Sequence, residues 1–449
     1  MRSRLDRRPP DSRRAAPAKT LTVAINAQVN PANPGGAERA IQGMLTHFAR
    51  RASPDQRFLV LATERYAPDF RRLAGQGQDV LVWPFPQIAY APFRTMTRRW
   101  QRVHRRSGRF GFGVDAAHRV WWHAARALTR PPTAAQADAA LKARGVDVVH
   151  FPYAVHFETS LPFIYEPLDL QHRHLPELFS DGERAWRDRV YHRGCERARL
   201  IVTGTRYTKH DIVHQYGIDP RKIAVIPIRS ALPPTPPTPE AVARVRASYG
   251  LPERFLLYPA MAFPHKNHLR LFEALAILRD RHGLALPLVC TGRPYESHSP
   301  VLEQAVERLG LQAQVRTLGP VPTDDLVALY GAAWALVFPT LFEGIGMPVL
   351  EALQYGLPVI SSNAACLPEV AGDAALYFDP TSVEAIVEAL LTARRQPELL
   401  ERRREAAPAA LARFDWDRAA RTYVACYRAA AGARLTDAQR ALYDAAIAS

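Results

Sequence analysis

The chain has 449 residues, 59 Lys and Arg against 43 Asp and Glu, 47% apolar residues, 38 Pro and four Cys. That length suggests two or three domains with ample core, and the apolar and charged fractions exclude a disordered, collagen-like or coiled-coil chain. No run of apolar residues is long enough to span a bilayer and the first twenty residues lack the apolar centre of a secretion signal, so a cytoplasmic protein is expected.

Residues 1–19, rich in Arg, Pro and Ala, have too little apolar content to pack and read as a disordered basic arm. Order begins with the apolar run Leu21 to Asn26, followed by a loop containing Pro34-Gly35-Gly36 and a helical pattern at Ile41, Met44, Leu45 and Phe48. Further strands are expected near Phe58 to Ala62, Val146 to Phe151, Phe163 to Pro167 and Leu200 to Thr203. Strands alternating with helices imply parallel sheets covered on both faces, an α/β fold. Between the second and third of these strands, residues 94–130 hold ten Arg and one acid, Asp115, among Trp100, Trp121 and Trp122. This patch and the basic arm account for nearly all of the +16 net charge. Arginine interleaved with tryptophan suits an anionic membrane surface or nucleic acid, and a solvated helical face is the plain alternative.

Pro233-Pro-Thr-Pro-Pro-Thr-Pro239 is the strongest linker signal, because proline lacks the N–H that helices and sheets use. The expected organisation is a first Rossmann-like domain over 20–230, a linker at 231–240, a second Rossmann-like domain over 241–415, and helices over 416–449 that return to the first domain. In the second domain, strands are expected at Phe255 to Pro259, Leu288 to Thr291, Val315 to Gly319, Ala335 to Pro339 and Pro358 to Ser361, with helices starting near His268, Pro300, Thr323, Met347 and Val383. Two such domains form a cleft between the carboxyl ends of their sheets, where ligands bind. Cys195, Cys290, Cys366 and Cys426 are far apart with no CxxC pair, which indicates neither a zinc ribbon nor a disulfide framework.

The most specific stretch is Phe338-Pro-Thr-Leu-Phe-Glu343-Gly-Ile-Gly-Met-Pro-Val-Leu-Glu351-Ala. A strand enters a loop and then a helix with Pro348 in its first turn, an arrangement that collects anions. Gly344 and Gly346 let backbone N–H groups of the segment Gly344-Ile345-Gly346-Met347 approach a diphosphate. Glu343 is placed to accept from sugar hydroxyls and Glu351 to hold a ribose diol. Tyr258-Pro-Ala-Met-Ala-Phe-Pro-His265-Lys266-Asn267-His268 closes one strand and opens a helix, where the Lys266 ammonium would offset the charge on a diphosphate bound there.

Together these segments resemble retaining GT-B glycosyltransferases of glycosyltransferase family 4 (group 1), in the Pro-His-Lys-Asn variant. The resemblance implies two Rossmann-like domains facing across a cleft, with Glu343 on the donor sugar, Glu351 on the nucleotide ribose, and Lys266 and Asn267 at the phosphates. An Arg carried by many members before this Lys is absent from Ala260-Met261-Ala262, and Arg293 is either its substitute or a surface residue. Gly35 and Gly36 match the family's N-terminal glycine loop facing the donor phosphates. Leu168-Asp169-Leu-Gln-His172-Arg-His174 resembles a stretch that projects a histidine toward the donor sugar. His172 is the better match, with packing as the alternative role, and Asp169 either orients His172 or holds a turn. Asp415-Trp-Asp417 imitates a metal-binding DxD, but its position marks a helix start, where Asp is a favoured cap, so no metal is assigned.

The implied activity is metal-independent transfer of a hexose, by weak preference mannose from GDP-mannose, to a saccharide or lipid-linked acceptor, without a cofactor. Catalysis falls to Glu343, His172 and Lys266. Segment 94–130 would rest on an anionic membrane at the inner face or bind an anionic acceptor such as a lipid-linked diphosphate oligosaccharide. A GT-B epimerase or phosphorylase is the alternative enzyme; a basic nucleic-acid-binding protein would leave the glycine loop and Lys266 unexplained.

Overall fold

The computed structural model describes residues 20–28, 35–83, 133–296 and 298–449. The basic arm 1–19 and the Arg/Trp segment 94–130 lie outside the described residues.

Seven parallel strands form the first sheet: β1 (Leu21–Ala27), β2 (Gln56–Ala62), β3 (Gln78–Val82), β4 (Val148–Phe151), β5 (Phe163–Tyr165), β6 (Leu200–Thr203) and β7 (Ile223–Val225), in the order β3-β2-β1-β4-β5-β6-β7. Val23 and Ile25 of β1 point into one apolar layer and Ala24 into the other, so this strand is covered on both faces. Six parallel strands form the second sheet: β8 (Leu256–Pro259), β9 (Leu288–Thr291), β10 (Val315–Thr317), β11 (Ala335–Phe338), β12 (Val359–Ser362) and β13 (Ala375–Phe378), in the order β10-β9-β8-β11-β12-β13. Both orders reverse beside their first strand, at β1/β4 and at β8/β11, the switch points where ligands enter such sheets. The two parallel sheets agree with the two Rossmann-like domains expected.

One local difference concerns the glycine pair. The sequence places Gly35 and Gly36 in a loop, whereas the first helix, Gly35–Arg50, already begins with them. The first four N–H groups of a helix have no partner within it, so a glycine there forfeits less than it would in the interior. Ile41, Met44, Leu45 and Phe48 form its buried face.

The chain enters the second domain through 229–238, with Leu232 already in that domain's core. Thr238 caps the helix Pro239–Tyr249, so the proline run ends in a helix start. The chain returns near 412–416. Asp415 caps the helix Trp416–Ala430, accepting from the Arg418 N–H, and this helix packs in the core of the first domain. Its Tyr423 hydroxyl donates to Glu166 (2.8 Å) and its Tyr427 hydroxyl pairs with His150 Nδ1 (2.9 Å), while His150 Nε2 meets Glu166 at 2.8 Å. These side chains are buried, and each leans on the others for its hydrogen bonds. The outgoing and returning crossings lie side by side: Arg229, Ala412 and Phe414 line one cavity of about 620 Å³. All four cysteines are free and buried.

Candidate functional site

The loops after β8 and β11 meet at the carboxyl end of the second sheet. Asn267 holds the first of them: its backbone is left-handed (φ 60°), and its buried amide donates to Pro339 O (2.9 Å) and Pro380 O (2.8 Å). Both amide hydrogens are therefore spent on the scaffold. The side chain expected at the donor phosphates instead fixes the loop that carries Lys266. His265 contributes its carbonyl, which accepts from Leu341 N–H at 2.8 Å, and burial pushes its imidazole pKa well down. These bonds bring the Lys266 ammonium to 2.5 Å from Glu343 Oε1, with both side chains largely enclosed. The ammonium also stands 5.7 Å from the Phe338 ring.

The glycine-bearing loop is shaped as much by the first domain as by any ligand. A Cβ on Gly344 would lie 2.3 Å from the Leu168 carbonyl oxygen. Gly344 O accepts from Thr205 Oγ1 (3.0 Å) and Thr208 Oγ1 (3.4 Å), and the Ile345 side chain fills the space over Gly204. Gly346, at φ 76°, turns the chain into the helix Met347–Gln354, with Pro348 in its first turn. Next to this contact Leu168 itself is left-handed (φ 69°), a strained conformation for leucine. The strain presents Asp169 to the second domain. Asp169 Oδ1 accepts from Gln171 N–H at 3.1 Å, and the carboxyl lies in the field of Arg187, Glu343 and Lys266. Burial dominates there and raises its pKa.

His172 does not face the cleft as expected, and takes the packing role instead. His172 is fully buried within the first domain, with Nε2 on Asp188 at 2.9 Å and its ring edge-on to Tyr191, and burial lowers its pKa. The ring that reaches the second domain is His174, stacked on Phe342 with centroids 4.7 Å apart and held by Asp211 at 2.8 Å. The cause is the four-residue helix Gln171–His174, which turns His172 under the loop and leaves His174 outermost.

Glu351 is 1% exposed. Its Oε1 accepts from Ser230 Oγ (2.7 Å) and Arg39 Nη1 (3.2 Å), and its Oε2 from the Tyr330 hydroxyl (2.6 Å). Arg293 is exposed after β9, and its charge reaches Glu38 on the first turn of the first helix, where burial raises the carboxyl pKa and Arg293 opposes that rise. Glu369 completes the domain contact by accepting the N–H groups of Arg206 and Tyr207 at the start of a first-domain helix, both at 2.8 Å. Arg39 stands three residues after Gly36, and nothing in the sequence marks it, Ser230, Tyr330 or Glu369 as a site residue. Among the described residues, no group of three or more His, Cys, Asp and Glu side chains could hold a metal ion.

Residues 244–410 match the family Glycosyl transferases group 1. The chain is similar to O-antigen chain mannosyltransferase B of Escherichia coli, 30% identical over 56% of this chain and 66% of that protein. It is also similar to the serotype-specific mannosyltransferase WbdA of Escherichia coli, 32% identical over 39% of this chain and 22% of that protein. The matched stretch thus spans just under two thirds of the first relative and about a fifth of the second. The crystal structure of Anabaena HepE in complex with UDP and glucose superposes with a TM-score of 0.62 at 16% identity, covering 91% of this chain and 100% of that one. The protein has the GT-B fold, and residues 244–410 of its second domain match the group 1 glycosyl transferases.

Proposed function

We propose that the chain is a retaining hexosyltransferase of glycosyltransferase family 4, in its Pro-His-Lys-Asn variant. It takes mannose from GDP-mannose and passes it to a saccharide or lipid-linked glycan, without a metal. The observation that carries this reading is the Lys266–Glu343 pair, 2.5 Å apart on two loops at the carboxyl end of the second sheet, with Asp169 of the first domain in the same field. Support for mannose comes from the two similar Escherichia coli proteins, both mannosyltransferases.

In this mechanism the donor diphosphate draws Lys266 from Glu343, and the freed carboxylate accepts from the sugar hydroxyls. Lys266 and the start of the helix Met347–Gln354 then offset the charge that grows on the departing phosphate. The acceptor hydroxyl enters from the first domain on the face the phosphate leaves. Its oxygen bonds to the anomeric carbon as the carbon–phosphate oxygen bond breaks, and its proton passes to the departing phosphate oxygen. His172, enclosed against Asp188, supports the loop that carries Asp169 and does not touch the sugar. Closure of the domains over this site would exclude water and suppress hydrolysis.

The work is assigned to the cytoplasmic side of a membrane, with segment 94–130 as a peripheral contact. No helix among the described residues is long and apolar enough to cross a membrane.

The test is calorimetric titration with GDP, UDP, ADP and dTDP in the presence of a chelator. GDP should bind in the micromolar range. Lys266→Ala should cut transfer by roughly 100- to 1,000-fold while the protein stays folded by circular dichroism. Binding of none of the four, or full transfer by the variant, would sink the reading.

A further inference from the structure

Glu351 is spoken for before any nucleotide arrives. A carboxylate offers about four acceptor positions. Here Oε1 receives Ser230 Oγ and Arg39 Nη1, Oε2 receives the Tyr330 hydroxyl, and the residue is 1% exposed. A ribose diol needs two neighbouring acceptor positions, so one of the present donors must leave. Tyr330 and Ser230 are both buried, and burial pushes the Tyr330 hydroxyl pKa well up, which keeps its proton in place to donate. The Leu232 N–H further pins Ser230 Oγ, at 3.2 Å.

Arg39 differs in each respect. Its side chain is 44% exposed, it is the longest contact of the three, and it comes from the other domain. It stands on the first turn of the helix Gly35–Arg50 beside Glu38, whose carboxyl lies in the field of Arg293 across the cleft. This one turn therefore offers an Arg to one candidate donor residue of the second domain and a Glu to another. Both are answered by charge from the first domain.

We propose that Arg39 and the donor ribose compete for Glu351: the Arg39–Glu351 ion pair closes the ribose position in the empty protein and is broken when nucleotide binds. The inference rests on the reading of Glu351 as the ribose ligand. Arg39 is thus a positioning residue that acts through Glu351 and sets the affinity for nucleotide. The neighbouring pair of Glu38 and Arg293 would loosen with the same movement of the turn.

The experiment titrates GDP and 2′,3′-dideoxy-GDP into wild type, Arg39→Ala and Arg39→Lys. Removing a half-exposed competing cation should tighten GDP binding by about 2- to 5-fold in Arg39→Ala. Arg39→Lys, which keeps a cation for Glu351, should return most of the way to wild type. The dideoxy nucleotide, which has no diol to place on Glu351, should bind all three proteins alike. Unchanged or weaker GDP binding by Arg39→Ala overturns the competition, as does an equal gain for the dideoxy nucleotide. Those results differ from failure of the donor-site reading, in which neither wild type nor Arg39→Ala binds GDP at all and the competition falls with it.

Discussion

Asp169 is a carboxyl held at a cost. The strained backbone at Leu168 delivers it to the domain boundary, and burial there outweighs the attraction of Arg187 and Lys266, so its pKa stands above the usual 3.8. The folded chain then binds this proton more tightly than the unfolded chain. The stability it contributes is present at low pH and is lost as pH rises through the folded value. Asp169→Asn keeps the acceptor for the Gln171 N–H and removes the charge. At pH 7 the variant should melt roughly 1–4 °C above wild type, and the gap should close as pH falls toward 3.8. Thermal melts across that range check it, and a gap independent of pH would show that the carboxyl carries no such penalty. Residues of this kind mark where the sequence stops being legible. Glu343 and Lys266 were readable because each sits in a motif whose loop and helix start can be recognised. His172 and His174 lie two positions apart on one short turn, and only the packing of Tyr191, Asp188 and Phe342 decides which ring faces which domain.

Among the elements, the strands missing from the sequence reading are β3, β7 and β13. All three are edges, β3 and β7 of the first sheet and β13 of the second. An edge strand pairs on one side only and needs no long apolar run: β3 reads Gln-Asp-Val-Leu-Val with only its first residue buried, and β7 is three residues long. The central strands, buried along nearly their whole length, gave continuous apolar runs that the sequence displays openly. Helix contacts carry a different kind of information. In the first helix, a Cβ on Gly43 would lie 2.2 Å from Cζ2 of Trp416, so the helix Trp416–Ala430 sits against a bare backbone. Gly43→Ala should raise the helix's own propensity and still destabilise the protein, by about 1–3 kcal/mol, because the indole stacked on His47 must shift. Chemical denaturation measures the sign, and a stabilised variant would mean that Trp416 yields freely.

For the molecule as a whole, the domain contact depends on a glycine that a family motif alone would assign to the ligand. Gly344 meets the Leu168 carbonyl and is tied to Thr205 and Thr208, so closure and the donor loop share one residue. Gly344→Ala should hold the domains slightly apart. Transfer should fall on the order of 100-fold, because small misplacements at a reacting centre are that costly, while GDP binding changes far less. Steady-state rates beside calorimetry separate the two, and equal losses in both would place Gly344 on the nucleotide alone. The two crossings of the chain, at 229–238 and 412–416, bear on how such closure runs. A single connecting peptide would leave one half of the molecule free to swivel as well as to nod. Two peptides side by side act as a pair of door pins, permitting rotation about the line through them and resisting twist. Lys266 and Glu343 then approach Asp169 along one repeatable arc, so that alignment of the reacting groups is inherited from the hinge and need not be searched for in each cycle.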